Sequence, residues 1–442
     1  MRASRCRRRV ATVTAALLLL LIPACSDEES GPAPSTIRVP AESASIQAAV
    51  DKVAAGGVVL VDPGTYRETV TVATEDVTVR GTDRNITVID GETTRPYGVV
   101  AIGDGVRIQN LTVRNHLFYG VLVTGLHDQN GPRAPNEGAY EPFDPTEFPP
   151  VQRFAIDHVT AHNNGLYGIY AFNAQHGVIT DSYASGSADS GIYVGQCRNC
   201  DISVRGNVAE RNAVGFENAN ASGPLTITGN RFAGNRVGMT LLSNYQEAFR
   251  PQHDNEVVGN VIVGNDESDS PAQADGGFGT GLGVAGGQDN TIERNRITGN
   301  PRAGVLLTNT EDLPAEGNMF GENRFGDNGT DVANLSAARA PATTTCVDTL
   351  VSTVPSGLAP VLRAGCRQGG GAAPLPSASP GELPDVAVPA GANFLKVASP
   401  PPQPNLPADA PTDRLPDPVS MPDPDSVALP PADLLAERSG IR

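Results

Sequence analysis

The chain has 442 residues, a net charge of −17, no Trp, 12 Phe, 9 Tyr and 48 Gly. That excess of acid argues against nucleic acid and anionic membrane surfaces as partners. Few aromatics beside many glycines exclude a large packed globule in favour of short strands and tight corners.

In chain order, the first element is a secretion leader over residues 1–25. Arg2, Arg5, Arg7, Arg8 and Arg9 precede an apolar run from Val10 to Ile22, too short to span a membrane. The run closes on LIPAC, which resembles the bacterial lipobox and implies lipidation of Cys25 after cleavage. Loss of those five arginines takes the charge from −17 to about −22. Residues 26–35 form a polar tether. Ser45 to Val53, SIQAAVDKV, has apolar residues at helical spacing with a cap at Ser43 or Ser45, and suits a helix that covers the open end of a stack.

Residues 36–335 carry a repeat. Asn207 and Asn212, Asn230 and Asn235, Asn260 and Asn265, Asn295 and Asn300, and Asn318 and Asn323 are each five apart, with a small or apolar residue two after the first. This pattern predicts an all-β parallel β-helix of about nine coils, in which inward asparagines bond to their counterparts one coil away. Gly229, Gly234, Gly259, Gly264 and Gly299 fit corners that need positive φ. A second repeat opens strands at Gly120, Gly168, Gly191, Gly215, Gly238, Gly281 and Gly304. Its first and third following residues are mostly apolar and point inward, so Leu122, Tyr170, Tyr193, Glu217, Thr240, Gly283 and Leu306 point out.

Two insertions, Leu126 to about Pro150 and Ser243 to Asp254, leave at the same corner and are expected to wall a trough. Its floor is predicted to carry Tyr170, Phe172, Tyr193, Gln196 and Glu217, with His127, Asp128, His253 and Asp254 from the loops. Aromatic faces beside amides and a carboxylate suit a sugar chain, or else fill the sheet face under the loops. For chemistry, Asp189, Glu217 and His162 are the candidate acids and bases, with Tyr193 as a proton donor. His116, His158 and His176 read as corner histidines. No metal or cofactor is predicted, since the few Met and His residues do not converge.

Cys346 and Cys366 flank residues 336–369, a C-terminal cap tied by a disulfide. Cys197 and Cys200 form a C-x-x-C read as a local disulfide, with a redox pair or half a metal site as alternatives. Residues 370–442 are rich in Pro, Ala and Asp and are expected to be disordered or extended. GGFGTGLGV (Gly276 to Val284) mimics a dinucleotide fingerprint without a βαβ unit, and a calcium nonapeptide without its metal-binding Asp.

IQAAVDKVAAGGVVLVDPGTYRETV, YGIYAFN, YASGSADSGIYVGQCRNC and GVAGGQDNTIERN resemble the right-handed parallel β-helix, pectin-lyase-like superfamily over about residues 36–335. They are more closely similar to bacterial β-helix repeat lipoproteins of unassigned activity, and more distantly to a periplasmic copper-processing protein. PGTYRE resembles pectin methylesterases and IDH a pectate lyase fragment, but the remaining motifs of both are absent. So are the paired aspartates of polygalacturonases and the Asp-Pro-His of mannuronan epimerases. The expectation is a lipid-anchored, surface or periplasmic β-helix that binds polysaccharide. The rivals are a lyase or epimerase on the same fold, and a scaffold or maturation accessory that meets an envelope protein through its Pro-rich tail.

Overall fold

The computed structural model describes residues 33–133, 145–272, 277–366, 373–412, 414–416 and 418–441. Cys25, residues 26–32 of the tether and the middle of the first insertion lie outside them. Three parallel sheets run the length of the stack: sheet A with 12 strands, sheet B with 10 and sheet C with 11. Each coil gives one strand to A, then B, then C, so ten coils are complete, against about nine read from the sequence. The last coil carries Arg324–Gly326 and Val332–Asn334, and Asn323 and Asn328, again five apart, continue both ladders into it. Sheets A and C then continue into the cap with Cys346–Val347 and Thr353–Val354.

In four of the five pairs the offset is the width of sheet B, and Asn318 and Asn323 instead flank the sheet A strand Met319–Gly321. From Val208 onward the sheet B strands are three residues long, as in Arg231–Ala233 and Arg296–Thr298, and an asparagine turns the corner at either end. The amide of Asn207 donates to Asn230 at 3.0 Å, Asn230 to Asn260 at 2.9 Å, and Asn260 to Asn295 at 2.9 Å. A second ladder joins Asn212, Asn235, Asn265, Asn300 and Asn328. These buried amides escape the cost of about 1–3 kcal/mol that each would carry unpaired. The strand glycines serve the same ladder by absence of bulk: a Cβ on Gly215 would lie 2.7 Å from Asn235 Nδ2 and 2.5 Å from the Gly238 carbonyl. Gly229 and Gly234 turn the corners at φ of 62° and 57°.

Stacked apolar side chains fill the interior. Ile227 and Val257 from sheet A, Phe232 and Ile262 from B, and Phe216, Met239 and Leu282 from C are fully buried in one continuous core. Each contributes roughly 1.5–3 kcal/mol of burial. At the open end, the helix Ile46–Val50 buries Ile46, Ala49 and Val50, with the Ser45 hydroxyl accepting from Ala48 N–H. Glu68, from the PGTYRE segment, accepts from the N–H groups of Ile46 and Gln47 at 3.0 and 2.9 Å, so this carboxylate caps the helix. Cys346 pairs with Cys366 and Cys197 with Cys200.

Of the two forms expected for it, the Pro-rich segment takes the extended one. It has no apolar periodicity from which to build its own core, and it does not need one. The described residues of 374–441 start against Ala342 and Asn334 at the cap and then run largely extended over the outer face of sheet B and its flanking corners, held by side chains of the coils.

Candidate functional site

Sheet C presents one outward column: Val100, Leu122, Tyr170, Tyr193, Glu217, Thr240, Gly283 and Leu306 are in register. Tyr170, Phe172 and Tyr193 point out of the sheet yet are buried under the two insertions. Phe148 of the first insertion packs on this cluster, and Arg133 lies over the Phe148 ring. The second insertion is seated by Asn220, which donates to the carbonyls of Asn244 and Glu247, and by Ala248 N–H, which donates to Gln196 Oε1 at 3.1 Å. A cavity of about 10 Å³ remains beside Tyr170 and Phe172, the room of a single water. Those rings roof a sheet; they do not line an open floor.

A partly exposed aromatic row lies three residues earlier in each coil. Tyr97, Tyr119 and Tyr167 each precede a strand glycine and stack along the axis, with centroids 5.5 Å apart and planes at 17° and 4°. Phe118 leans on Tyr97 and Tyr119 and is 46 % exposed, and Leu117 beside it is exposed as well. The signal for this row was the repeated Tyr-Gly at Gly98, Gly120 and Gly168, which alternation inside the strands does not weigh.

The row ends against acids. The Tyr167 ring is 4.7 Å from that of Tyr193, and the charges of Glu217, Asp189 and Glu247 reach the Tyr167 hydroxyl. Ser190 stands between two carboxyls, 3.3 Å from Asp189 Oδ1 and in a short contact with Glu217 Oε2. One hydroxyl proton serves only one acceptor, so both contacts are hydrogen bonds only when one carboxyl is itself protonated. Burial pushes Asp189 up to about 6, and burial with the Asp189 charge pushes Glu217 well above the usual carboxylate range. Both keep an edge open to solvent. Glu247, from the second insertion, accepts the Tyr193 hydroxyl and is pushed up to about 8 by burial. Glu247 and Tyr167 were not among the residues singled out from the sequence. A glutamate arriving on a loop has no repeat register to mark it.

Asp189, Glu217 and Tyr193 therefore meet at one place, and His162 does not join them. His162 belongs to the sheet B strand Thr160–His162, bonds to the Asn163 side chain, and is held neutral by burial, with its pKa pushed down to about 4. His253 and Asp254 bond to each other at 2.7 Å at the corner leading into sheet A, where His253 N–H also meets Ser222. His127 and Asp128 form a two-residue ladder with Gly131–Pro132 inside the first insertion. None of these four contacts the acid cluster among the described residues. His158 and His176 each sit at a corner with positive φ and an aspartate 2.7 Å away. Asp157, His158 and Asp181 bring one ligand atom each within 4.8 Å, but Arg84 and Arg438 already face these aspartates. The charge a cation would supply is present.

Residues 77–262 match the family model described as the right handed beta helix region. No curated protein matches the chain in sequence. Among solved structures, the A-module of the Azotobacter vinelandii mannuronan C-5 epimerase is 15 % identical, covering 69 % of this chain and 97 % of its own, with a TM-score of 0.39. A pectate lyase is 16 % identical over 65 % and 74 %, with a TM-score of 0.40. An alginate lyase from Paenibacillus sp. str. FPU-7 is 16 % identical over 66 % and 97 %, with a TM-score of 0.38. At these values the likenesses say nothing of activity, and they lend no support to the copper-processing resemblance. Taken with the three parallel ladders, this match makes the fold a right-handed parallel β-helix.

Proposed function

We propose that the chain binds a neutral polysaccharide along the row Tyr97, Phe118, Tyr119 and Tyr167 and hydrolyses it at Asp189 and Glu217. The observation that carries this reading is the Ser190 hydroxyl shared by two carboxyls whose proton affinities are raised together. Glycoside hydrolysis needs one carboxylic acid and one carboxylate on either side of the scissile bond. The acid gives its proton to the glycosidic oxygen as the bond to the anomeric carbon breaks. The carboxylate takes a proton from the water, or attacks that carbon itself.

The local charge supports a neutral substrate. The charged groups acting on Glu217 are the acids Asp189 and Glu247, so a uronate carboxylate placed there meets like charge. A lyase or epimerase acting on uronates has to offset that carboxylate, which makes either the weaker reading. Secretion and lipid anchoring through Cys25 would set the protein at the cell surface or the periplasmic face, where such polymers lie.

The test is a glycan array with the whole mature chain, followed by product analysis on each bound polymer, beside Asp189→Asn and Glu217→Gln. New reducing ends that disappear in both variants support hydrolysis. A product absorbing in the ultraviolet turns the reading to a lyase, and binding without product to a module. No bound glycan removes the carbohydrate reading altogether.

A further inference from the structure

A proline has a carbonyl to accept hydrogen bonds and no N–H to give, so a proline-rich extended chain presents acceptors in excess of donors. Its complement is a surface of donors, and arginine, with five N–H groups and no acceptor, is the densest donor among side chains. The outer face of sheet B with its flanking corners is such a surface. Arg236 donates to the Pro389 carbonyl at 2.7 Å, Arg84 to Pro404 at 3.2 Å, and Arg80 to Ala410 and Pro411 at 3.0 and 2.9 Å. Arg294 donates to Pro424 and Val427 at 2.9 and 2.7 Å, Arg296 to Pro430 at 3.0 Å, and Arg231 to Ala432 at 3.1 Å.

The same contacts trace the path of the segment. Residues 389–411 cross from the coil of Arg236 to the coil of Arg80, and residues 424–440 cross a second time, from Arg294 to Arg211. The two passes meet where Gln403 Nε2 donates to the Arg438 carbonyl and Arg438 Nε to Gln403 Oε1. Arg438 then anchors the end, donating to the carbonyls of Gly206, Asp181 and Ser182. Asparagines add register: Asn85 exchanges two hydrogen bonds with the Gln403 backbone, at 2.9 and 2.8 Å. A chain held this way is recognised through its backbone, residue by residue, as an extended peptide is in a binding groove.

We propose that this arginine-lined face is a recognition site for an extended proline-rich peptide, that residues 374–441 are its resident ligand, and that side-chain recognition rather than covalent connection keeps the resident in place. The same face then accepts that segment in trans from a second copy of the chain. This goes beyond the glycan reading and does not depend on it, since the two surfaces lie on different sheets.

The test keeps the full chain and adds a specific protease sequence between Cys366 and Leu375. After cleavage the two pieces are passed over a gel-filtration column, and separately produced, fluorescently labelled 374–441 is added to the cleaved protein. The expected result is co-elution of the two pieces and uptake of the labelled segment, both abolished in denaturant. Arg231→Gln with Arg294→Gln should release the segment roughly a hundredfold faster, about tenfold for each arginine lost. Pro424→Gly with Pro430→Gly leaves the body untouched and frees the unbound segment, so affinity should fall about tenfold. Separation of the pieces on cleavage overturns the proposal. So does retention that neither the arginine pair nor the proline pair alters.

Discussion

Glu210 and Glu217 sit in one coil, the first on sheet B and the second on sheet C. Glu210 is fully buried and accepts the Tyr183 hydroxyl, the Ser439 hydroxyl and the Gly440 N–H, with Arg211 beside it. Glu217 accepts one hydroxyl, from Ser190, and has Asp189 as a like-charged neighbour. The two share a residue type and a coil, and differ in how many donors the surroundings supply and in the like charge beside Glu217. Where the C-terminal segment brings donors, a glutamate becomes a structural anchor. Where it does not, the proton affinity rises and acid–base chemistry becomes available.

The sharpest way to break this comparison is at the sheet C pair. Asp189→Asn and Glu217→Gln should each lower kcat on the cleaved polymer by about 10³, within the range expected for loss of a general acid or base, while polymer retention persists. A reducing-end assay with a retention measurement on the same samples checks it. A retained rate in either variant removes that carboxyl from the chemistry. On the other side, Glu210→Ala should cost about 3 kcal/mol in denaturant unfolding, because the Tyr183 hydroxyl and the Gly440 N–H lose their buried acceptor. Equal stability in Glu210→Ala and the parent chain would show that the segment does not rely on this glutamate.

Much of the fold was legible because the asparagine offset is a physical length, the corner-to-corner width of a three-residue strand. Ladder residues such as Asn230 and Asn260, the corner turns at Gly229 and Gly259, and the alternation around Tyr193 follow from it. The grouping of Asp189, Glu217 and Tyr193 was legible for the same reason, since stacking brings successive coils side by side. His162 was misgrouped because the repeat places it one coil away without saying which of three sheets it faces. Glu247 and the roof over Tyr170 depend on where two insertions fold back, which no period encodes. The C-terminal segment was read as unable to make a core of its own. What its composition does not state is that the coils carry the arginines to receive it.

Glu247 offers a gentler probe of the sheet C side. Its pKa of about 8 in the fold, against about 4.3 for an unfolded glutamate, is raised, so the unfolded state gives up its proton first as pH rises. Its contribution to stability is therefore most favourable below about pH 4, declines between about 4 and 8, and is level above. Glu247→Gln keeps an acceptor for the Tyr193 hydroxyl and removes the titration. It should match the parent near pH 4 and exceed it by about 2 kcal/mol at pH 8, less than the full linkage value because the site relaxes on ionising. Melting curves at the two pH values decide it, and an unchanged difference would place Glu247 in a solvated setting.

The smallest expected effect separates the partly exposed tyrosine row from the roofed rings beside it. Phe118 is nearly half exposed and Tyr170 is buried under the insertions. If polymer runs along the partly exposed row, Phe118→Ala should weaken retention about threefold to tenfold, the worth of one aromatic contact, with no change in the cleavage rate at saturation. Tyr170→Phe keeps the buried ring in place and should leave retention unaltered. The reverse ranking, with Tyr170 sensitive and Phe118 silent, would mean that the insertions lift from sheet C before the polymer binds. Tyr193 and Glu247 would then be exposed together with Asp189 and Glu217, and the acid site would be complete only in that opened form.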